Sequence, residues 1–185
     1  MAINQFLTFV LPRKTIEEKY GLIPKQLEIN HAEWEKYWEN YDIELNEAPE
    51  PDFEDARTFK WWKDVSVDMN YLEQKIDMFI SRTDWGEIED LNWKSEKSDF
   101  DHDVNIDFDL ELNYIQEFKF RTDLNDPTLT FLKSMLDLCD RNDWILMDDK
   151  GNLSEPNIKS LAKLIKDSDA DRFLRNRTEF FNNRT

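Results

Sequence analysis

Glycine and cysteine are scarce in this chain, and each shortage narrows what the protein can be. Three of the 185 residues are glycine, which excludes glycine-rich loops that cradle phosphate and leaves asparagine and aspartate to supply turns with a positive φ. Cys139 is the single cysteine, so no internal disulfide can form. This cysteine content is typical of a reducing compartment, and we expect a cytoplasmic location.

The sequence also lacks long apolar runs and the motifs of common enzyme classes. No stretch approaches the length of a membrane span, and residues 1–6 lack the basic and apolar regions of a signal peptide, so we expect no membrane partner. Walker and dinucleotide-binding fingerprints, zinc-protease motifs and nucleophile elbows are missing. We therefore predict no catalytic residue, no metal ligand and no cofactor.

Positive charge is in short supply. The chain has 24 basic and 41 acidic residues, a formal net charge of −17, and residues 28–57 and 84–123 each carry −9 of it. Because phosphate binding depends on lysine and arginine, we do not expect nucleic acid as a ligand. The charge favours a basic protein partner, most strongly at low ionic strength. We expect the chain itself to be a monomer or a weak homodimer.

Large apolar side chains, by contrast, are plentiful. Hydrophobic residues make up 39% of the chain and aromatic residues 14%, which is enough to build a packed core and argues against general disorder. At this length we expect one domain spanning residues 1–185.

The most informative pattern is a strict alternation of polar and apolar residues from Asp99 to Asn113. A period of two predicts a β-strand with two unlike faces. The apolar face would carry His102, Val104, Ile106, Phe108, Leu110 and Leu112. The other face, which we name the acidic ladder, consists of Asp99, Asp101, Asp103, Asp107, Asp109 and Glu111.

The acidic ladder has two interpretations that the sequence leaves open. It can be a solvated sheet face or an edge kept charged against aggregation, or it can be a surface that binds a basic partner. For the second interpretation we predict the ladder residues as the binding site, together with Glu44, Glu47, Glu50 and Asp52 from the acidic loop over residues 42–57. Two other functions stay open: a carboxylate-based enzyme, with or without the assistance of a metal ion, and a structural or homo-oligomeric subunit.

The strand after the ladder is predicted over residues 116–124. A three-residue loop at residues 113–115 keeps the apolar faces of both strands on one side. That loop would place Asp109 opposite Lys119 and Asp107 opposite Arg121.

The order of elements predicts the fold class. Residues 68–82 form a predicted helix, followed by the two strands, a helix over residues 127–141 that starts at Asp126-Pro127, a strand over residues 144–147 and terminal helices. We therefore predict an α+β fold: a ferredoxin-like βαββαβ sandwich over residues 58–185 with an extra C-terminal helix. Residues 1–57 would decorate it as a strand, a helical extension and an acidic loop.

Two side chains with potential chemistry have plain structural roles in this interpretation. His102 falls on the apolar face of the ladder strand, where we expect a partly buried ring with its hydrogen bonds satisfied. Cys139 lies on the apolar stripe of its helix, where we expect a structural thiol.

Four pieces of the C-terminal half form a series that covers about one third of the chain. They are Phe118–Leu124, Phe131-Leu132, Trp144–Met147 with the turn at Asp149–Asn152, and Ser168-x-Ala170-x-Arg172-Phe173-Leu174. The series resembles bacterial immunity-type proteins from polymorphic-toxin loci. The resemblance implies a non-catalytic cytoplasmic protein that binds a cognate toxin domain and blocks its site. Binding residues vary among such proteins, so none is carried over to this chain.

Overall fold

The computed structural model describes residues 4–40, 51–83, 90–95 and 100–175. These residues confirm the predicted α+β class, with one sheet and helices packed around it. The strands are β1 (Gln5–Pro12), β2 (Asp90–Lys94), β3 (Asp103–Asp109), β4 (Tyr114–Asp123), β5 (Trp144–Met147) and β6 (Leu153–Ser154). The helices are α1 (Arg13–Tyr20), α2 (His31–Glu39), α3 (Met69–Asp77), α4 (Thr130–Arg141), α5 (Ile158–Lys166) and α6 (Asp169–Arg175).

The strands lie in the order β2-β3-β4-β1-β5-β6, and each pair of neighbours is antiparallel. Two of these strands, β2 and β6, were not predicted. The prediction that residues 1–57 merely decorate the core is wrong in one respect, because β1 lies inside the sheet between β4 and β5. Residues 58–62, where the predicted core began, form turns instead of a strand.

The sequence of β1 explains its central position. Phe6 and Val10 point to one face of the sheet, Phe9 and Leu11 point to the other, and all four are buried. A short run that is apolar on both faces suits a strand that is covered on both sides.

One face of the sheet packs against the helical layer. The Phe131 ring of α4 lies 6.1 Å from the Phe120 ring of β4. Asp77, the last residue of α3, accepts a hydrogen bond of 2.6 Å from the Trp93 indole N–H of β2. Fully buried side chains of this layer include Leu72, Ile76, Ile106, Phe118, Phe120 and Met135.

Three helix boundaries have the cap chemistry that their residue types favour. Gly21 ends α1 in the left-handed region with φ 76°. The Asn30 side chain accepts the Glu33 N–H at the start of α2, and Asp68 accepts the Tyr71 N–H at the start of α3.

The predicted start of α4 is wrong by three residues. Asp126 does not cap the helix, because its Oδ1 accepts both the backbone N–H and the hydroxyl of Thr128 in a turn before it. The helix begins at Thr130, after Leu129 in the left-handed region with φ 54°. Local turn chemistry of the aspartate side chain therefore delays the helix.

Both outer strands of the sheet have hydrogen-bonded neighbours outside the sheet. On the β2 side, the Thr83 N–H donates to the Asn92 carbonyl and the Lys94 N–H donates to the Ser81 carbonyl, each at 2.9 Å. On the β6 side, the Leu153 N–H donates to the Lys25 carbonyl at 2.9 Å.

Candidate binding surface on the sheet

The acidic ladder is shorter than the sequence predicts. Strand β3 runs from Asp103 to Asp109, with Val104 and Ile106 buried as predicted. Leu110 and Leu112 do not continue the apolar face: they lie in the turn before β4 and are 54% and 67% exposed. Glu111 lies in the same turn, so its place on the ladder was also predicted incorrectly.

The turn has a physical cause at its two ends. The Asp109 Oδ1 accepts the Leu112 N–H at 2.8 Å, and Asn113 adopts φ 56°, a conformation that asparagine tolerates better than most residues. The backbone N–H of Leu112 is also the main reason why the pKa of Asp109 lies below its ordinary value, with burial opposing it.

The predicted pairing of β3 with β4 is wrong, although the faces match. Asp103, instead of Asp107, lies opposite Arg121, and Asp107 lies opposite Glu117. The difference is a shift of four residues along one strand. Since the shift is even, apolar still meets apolar, and the hydrophobic pattern alone could not distinguish the two registers.

A β-bulge at the end of this pairing changes which side chains share a face. Asp107 pairs with Glu117, but the next pair is Phe108 with Ile115, so Gln116 is an extra residue in β4. Ile115 consequently faces the core with Phe108, and Tyr114 faces the side of the sheet that carries Asp107.

We define the charged sheet face as the side of β2, β3 and β4 opposite the helical layer. It consists of Asn92, Lys94, Asp103, Asn105, Asp107, Glu117, Lys119 and Arg121. Together with Leu7 and Phe9 of β1, most of these residues line a cavity of about 410 Å³. The ladder thus belongs to a three-stranded surface of both charge signs.

Two carboxylates of the ladder are paired with basic side chains of neighbouring strands. Arg121 holds Asp103 through two contacts, Nε to Oδ1 at 2.9 Å and an amino nitrogen to Oδ2 at 2.8 Å. Asp101, which precedes β3, pairs with Lys94 at 3.1 Å. The charge-assisted hydrogen bond from Nε to Oδ1, with the second nitrogen close to Oδ2, orients the Arg121–Asp103 pair.

Glu117 of the same face pairs with Lys119 two residues along β4. Acidic and basic side chains are therefore paired on the charged sheet face. The described residues of this face do not form an uninterrupted row of free carboxylates.

The remaining predicted site residues are scattered or lie outside the described residues. Asp52 is exposed and lines a separate cavity of about 620 Å³, which Thr15, Phe59 and Lys63 also line. The predictions for Asp99, Glu44, Glu47 and Glu50 fall outside the described residues.

The N-terminal part of the chain covers the β1–β5 half of this side of the sheet. The Arg57 guanidinium lies over the Phe9 ring at 6.0 Å and beside the Trp34 ring at 5.8 Å. It also donates a hydrogen bond to the carbonyl of Asp149, beyond the end of β5. Described residues of the two acidic regions come together on this side of the sheet, where Trp34 and Arg57 line one cavity with Asp107 and Glu117.

Asp55 holds that covering segment together, although no motif in the sequence marks it as a site residue. Its buried carboxylate accepts the Asn30 N–H and the Trp34 indole N–H on Oδ2, and the Arg57 and Thr58 N–H groups on Oδ1, at 2.7–3.2 Å. A buried carboxylate is stable when its oxygens are satisfied in this way. Asp55-x-x-Thr58 resembles a turn, but nothing in the spacing points to Asn30 or Trp34.

His102 is buried, and both of its ring nitrogens face polar groups. Its Nδ1 accepts the Asp123 N–H at 3.1 Å, its Nε2 faces Asp126 at 3.5 Å, and its ring stacks on Phe131 at 4.5 Å. Burial lowers the pKa of His102 below 6.5, and the charges of Asp126, Asp123 and Asp101 only partly oppose this. Burial raises the pKa of Asp126, but hydrogen bonds from Thr128 and Leu129 together with the charge of His102 leave it below its ordinary value.

Cys139 lies on α4 and is fully buried, as predicted for a structural thiol, and burial raises the pKa of this thiol. Among the described residues, no three histidine, cysteine, aspartate or glutamate side chains form a group that could hold a metal ion. None of the described helices combines the length and the apolar character that crossing a membrane requires.

Comparison with protein-family models, curated proteins and solved structures found no match to this chain. The resemblance of the C-terminal half to immunity-type proteins therefore stays a prediction.

Proposed function

We propose that this protein is a non-catalytic binding protein of the immunity type, which blocks a basic toxin domain or nuclease with its charged sheet face. The observation that supports this most directly is the surface itself. Three neighbouring strands present ordered ionic side chains beside a cavity, at a position where packing of the core does not require them.

Two scales of electrostatics support a basic partner. The net charge of −17 attracts a basic protein from a distance and speeds its encounter with this chain. The paired charges then act at contact. Because Asp103 is held by Arg121 and Asp101 by Lys94, their positions are set in advance, and a partner must match a fixed pattern of signs.

The positions of reactive side chains support a role without catalysis. Cys139 and His102, which could act as nucleophile and base, are both buried in the core. Among the described residues, the histidine that contacts a carboxylate is His102, and Phe131, Asp123 and Asp126 enclose its ring. A protein that acts by steric block needs neither group at its surface.

We also propose that the central strands form a ferredoxin-like core. The order β3-β4-β1-β5 supports this, because β1 and β3 run parallel with the antiparallel strand β4 between them, and β4 and β5 run parallel with β1 between them. Split βαβ units have this arrangement. Strands β2 and β6 would then be additions at the two edges.

A charge swap tests the binding proposal without changing net charge. The double variant D103R/R121D keeps the ion pair but reverses its direction on the charged sheet face. The matched control is D137R/R141D, which swaps an exposed pair on α4 with a separation of 2.9 Å. The candidate partner is the product of the neighbouring reading frame, and binding is measured by titration calorimetry at low and high salt.

We expect the wild-type chain and the control to bind the partner equally, and the face variant to bind at least tenfold more weakly, about 1.4 kcal/mol. Equal affinity for all three folded chains would show that the charged sheet face is not the docking surface.

A further inference from the structure

A third cavity, of about 260 Å³, lies between the covering N-terminal segment and the charged sheet face. Trp34 and Phe59 contribute aromatic rings to its lining, and Asp107 and Glu117 contribute carboxylates from the sheet. Arg57 and Tyr114 also line it. We name it the Arg57–Tyr114 cavity. The lining combines flat apolar surface with hydrogen-bonding groups, as small-molecule sites usually do.

Two of the lining residues each carry a buried polar atom that has no hydrogen-bond partner within the described structure: the Arg57 Nε and the Tyr114 hydroxyl. The Tyr114 side chain is deeply enclosed, with the residue 4% exposed. An unmet buried donor destabilises a protein, and most such groups in native structures are satisfied. Two of them on one cavity indicate that an acceptor belongs there.

The fold holds both donors in place. The backbone N–H of Arg57 donates to the Asp55 carboxylate at 2.7 Å, and the Arg57 guanidinium lies near both the Phe9 and the Trp34 rings. Tyr114 owes its position to the β-bulge at Gln116, since regular alternation in β4 would turn the ring toward the helical layer. Bulges commonly redirect a side chain toward a functional site.

The charges of the lining favour an anion over a cation. Glu117 is already paired with Lys119, and Asp107 has a partner of its own, so neither carboxylate calls for a further cation. The unmet groups are both donors, and one of them belongs to a guanidinium. A carboxylate oxygen is the acceptor that such a donor binds most strongly.

We propose that the Arg57–Tyr114 cavity binds a small organic carboxylate with a flat apolar body. The Arg57 Nε–H and the Tyr114 hydroxyl donate to its carboxylate, and the Trp34 and Phe59 rings flank its apolar part. Asp107 and Glu117 belong both to this cavity and to the charged sheet face, so the two sites adjoin. The donors proposed here, Arg57 and Tyr114, are not part of that face, and the cavity uses neither the Arg121–Asp103 pair nor the Lys94–Asp101 pair.

Nuclear magnetic resonance of the ¹⁵N-labelled full chain tests the proposal. Benzoate is the probe, and benzylammonium, a cation of similar shape, is its control. We expect benzoate to shift the Arg57 Nε–H and Trp34 indole N–H resonances saturably, and benzylammonium to leave them unchanged. The variant Y114F removes one hydroxyl and should weaken benzoate binding at least tenfold while the spectrum of the folded chain persists.

A second variant, R57K, keeps the positive charge but removes the Nε–H, and it should also weaken binding at least tenfold. If R57K fails to fold, Y114F alone decides. The proposal is overturned if benzoate produces no saturable shift, if benzylammonium produces the same shifts, or if Y114F binds benzoate as tightly as the wild-type chain.

Discussion

His102 shows how one buried side chain can couple three parts of the fold. It precedes β3, its Nδ1 accepts the N–H of Asp123 at the end of β4, and its Nε2 faces Asp126 in the turn before α4. Because Nδ1 accepts a hydrogen bond, the ring is neutral with its proton on Nε2. Adding a proton to Nδ1 would set two N–H groups against each other.

This geometry predicts a loss of stability in mild acid. The folded-state pKa of His102 lies below the ordinary 6.5, so between those two values the unfolded chain binds a proton that the folded chain does not. The stabilising contribution of the neutral His102 ring to the free energy of unfolding is complete above pH 6.5, and it is lost as the pH falls through the folded-state pKa. Urea denaturation from about pH 7.5 to about pH 5 measures it as a falling free energy of unfolding.

The variant H102Q serves as the reference, because glutamine can accept the Asp123 N–H but does not titrate. Its free energy of unfolding should be flatter over this pH range, whereas H31Q, which changes an exposed histidine, should follow the wild-type chain. Parallel pH dependence in the wild-type chain and H102Q would assign the acid sensitivity to other groups.

At the level of elements, two glycines in the left-handed region differ in what surrounds them. Gly21 ends α1, and a Cβ added there would meet nothing within 4 Å. Gly151 follows β5, and an added Cβ would lie 2.3 Å from the Leu27 carbonyl oxygen. The N–H of Leu27 in turn donates to the Gly151 carbonyl at 2.8 Å. Glycine is therefore required at position 151 both because the backbone has a positive φ and because the Leu27 carbonyl leaves no room for a Cβ.

We predict that G21A lowers the free energy of unfolding by about 1 kcal/mol, the cost of placing alanine in the left-handed region. G151A should cost at least about 2 kcal/mol more, because a backbone group cannot move aside as a flexible side chain can. Chemical denaturation of both variants measures the difference. Equal losses would mean that the close approach at Leu27 relaxes without cost.

The end of β3 gives a second matched pair of variants. Ile106 is fully buried and Leu112 is 67% exposed in the turn. I106A should lower the free energy of unfolding by about 2–5 kcal/mol, and L112A should change it by no more than about 0.5 kcal/mol. A large loss in L112A would support the longer strand that the alternation predicts.

Sequence patterns predicted this region only in part, and the reason is physical. Alternation identified Val104 and Ile106 as core residues, but it continues through Leu112 and so does not mark where the chain reverses. The turn depends on a contact between Asp109 and the Leu112 N–H, which periodicity does not report. The register between β3 and β4 could not be predicted for a similar reason, because a shift by an even number of residues leaves the apolar pattern unchanged.

Helix caps were more predictable, because their chemistry is local. Asn30 and Asp68 act on backbone groups three residues away, within the reach of a sequence motif. Asp55 acts over a larger separation, on Trp34 and Asn30, and no short motif encodes such contacts. The same limit applies to the Tyr114 ring, whose direction depends on a bulge.

For the whole molecule, the net charge of −17 is the dominant electrostatic property. The described ion pairs offset it locally on the charged sheet face, but they do not change the total. Like charges repel across a compact chain and destabilise it, and added salt screens that repulsion over about 8–10 Å at physiological ionic strength.

We therefore predict that raising sodium chloride from about 20 mM to about 150 mM stabilises the chain by about 1 kcal/mol, a rise of about 2–4 °C in melting temperature. Scanning calorimetry at the two salt concentrations measures the change in melting temperature. The variant E35K/E39K, which lowers the net negative charge at exposed positions of α2, should show a smaller rise. A melting temperature that falls with salt would mean that the local ion pairs outweigh the overall repulsion.

The segments beside β2 and β6 decide how another chain can approach this one. Ser81 and Thr83 occupy backbone groups of β2, and Lys25 occupies the N–H of Leu153 in β6. Within the part of the chain that the structure describes, neither flank therefore offers a long row of vacant amides and carbonyls on which a foreign strand would extend the sheet. An incoming molecule must recognise side chains instead. Its selectivity could therefore be altered by single substitutions while the main-chain framework stays intact.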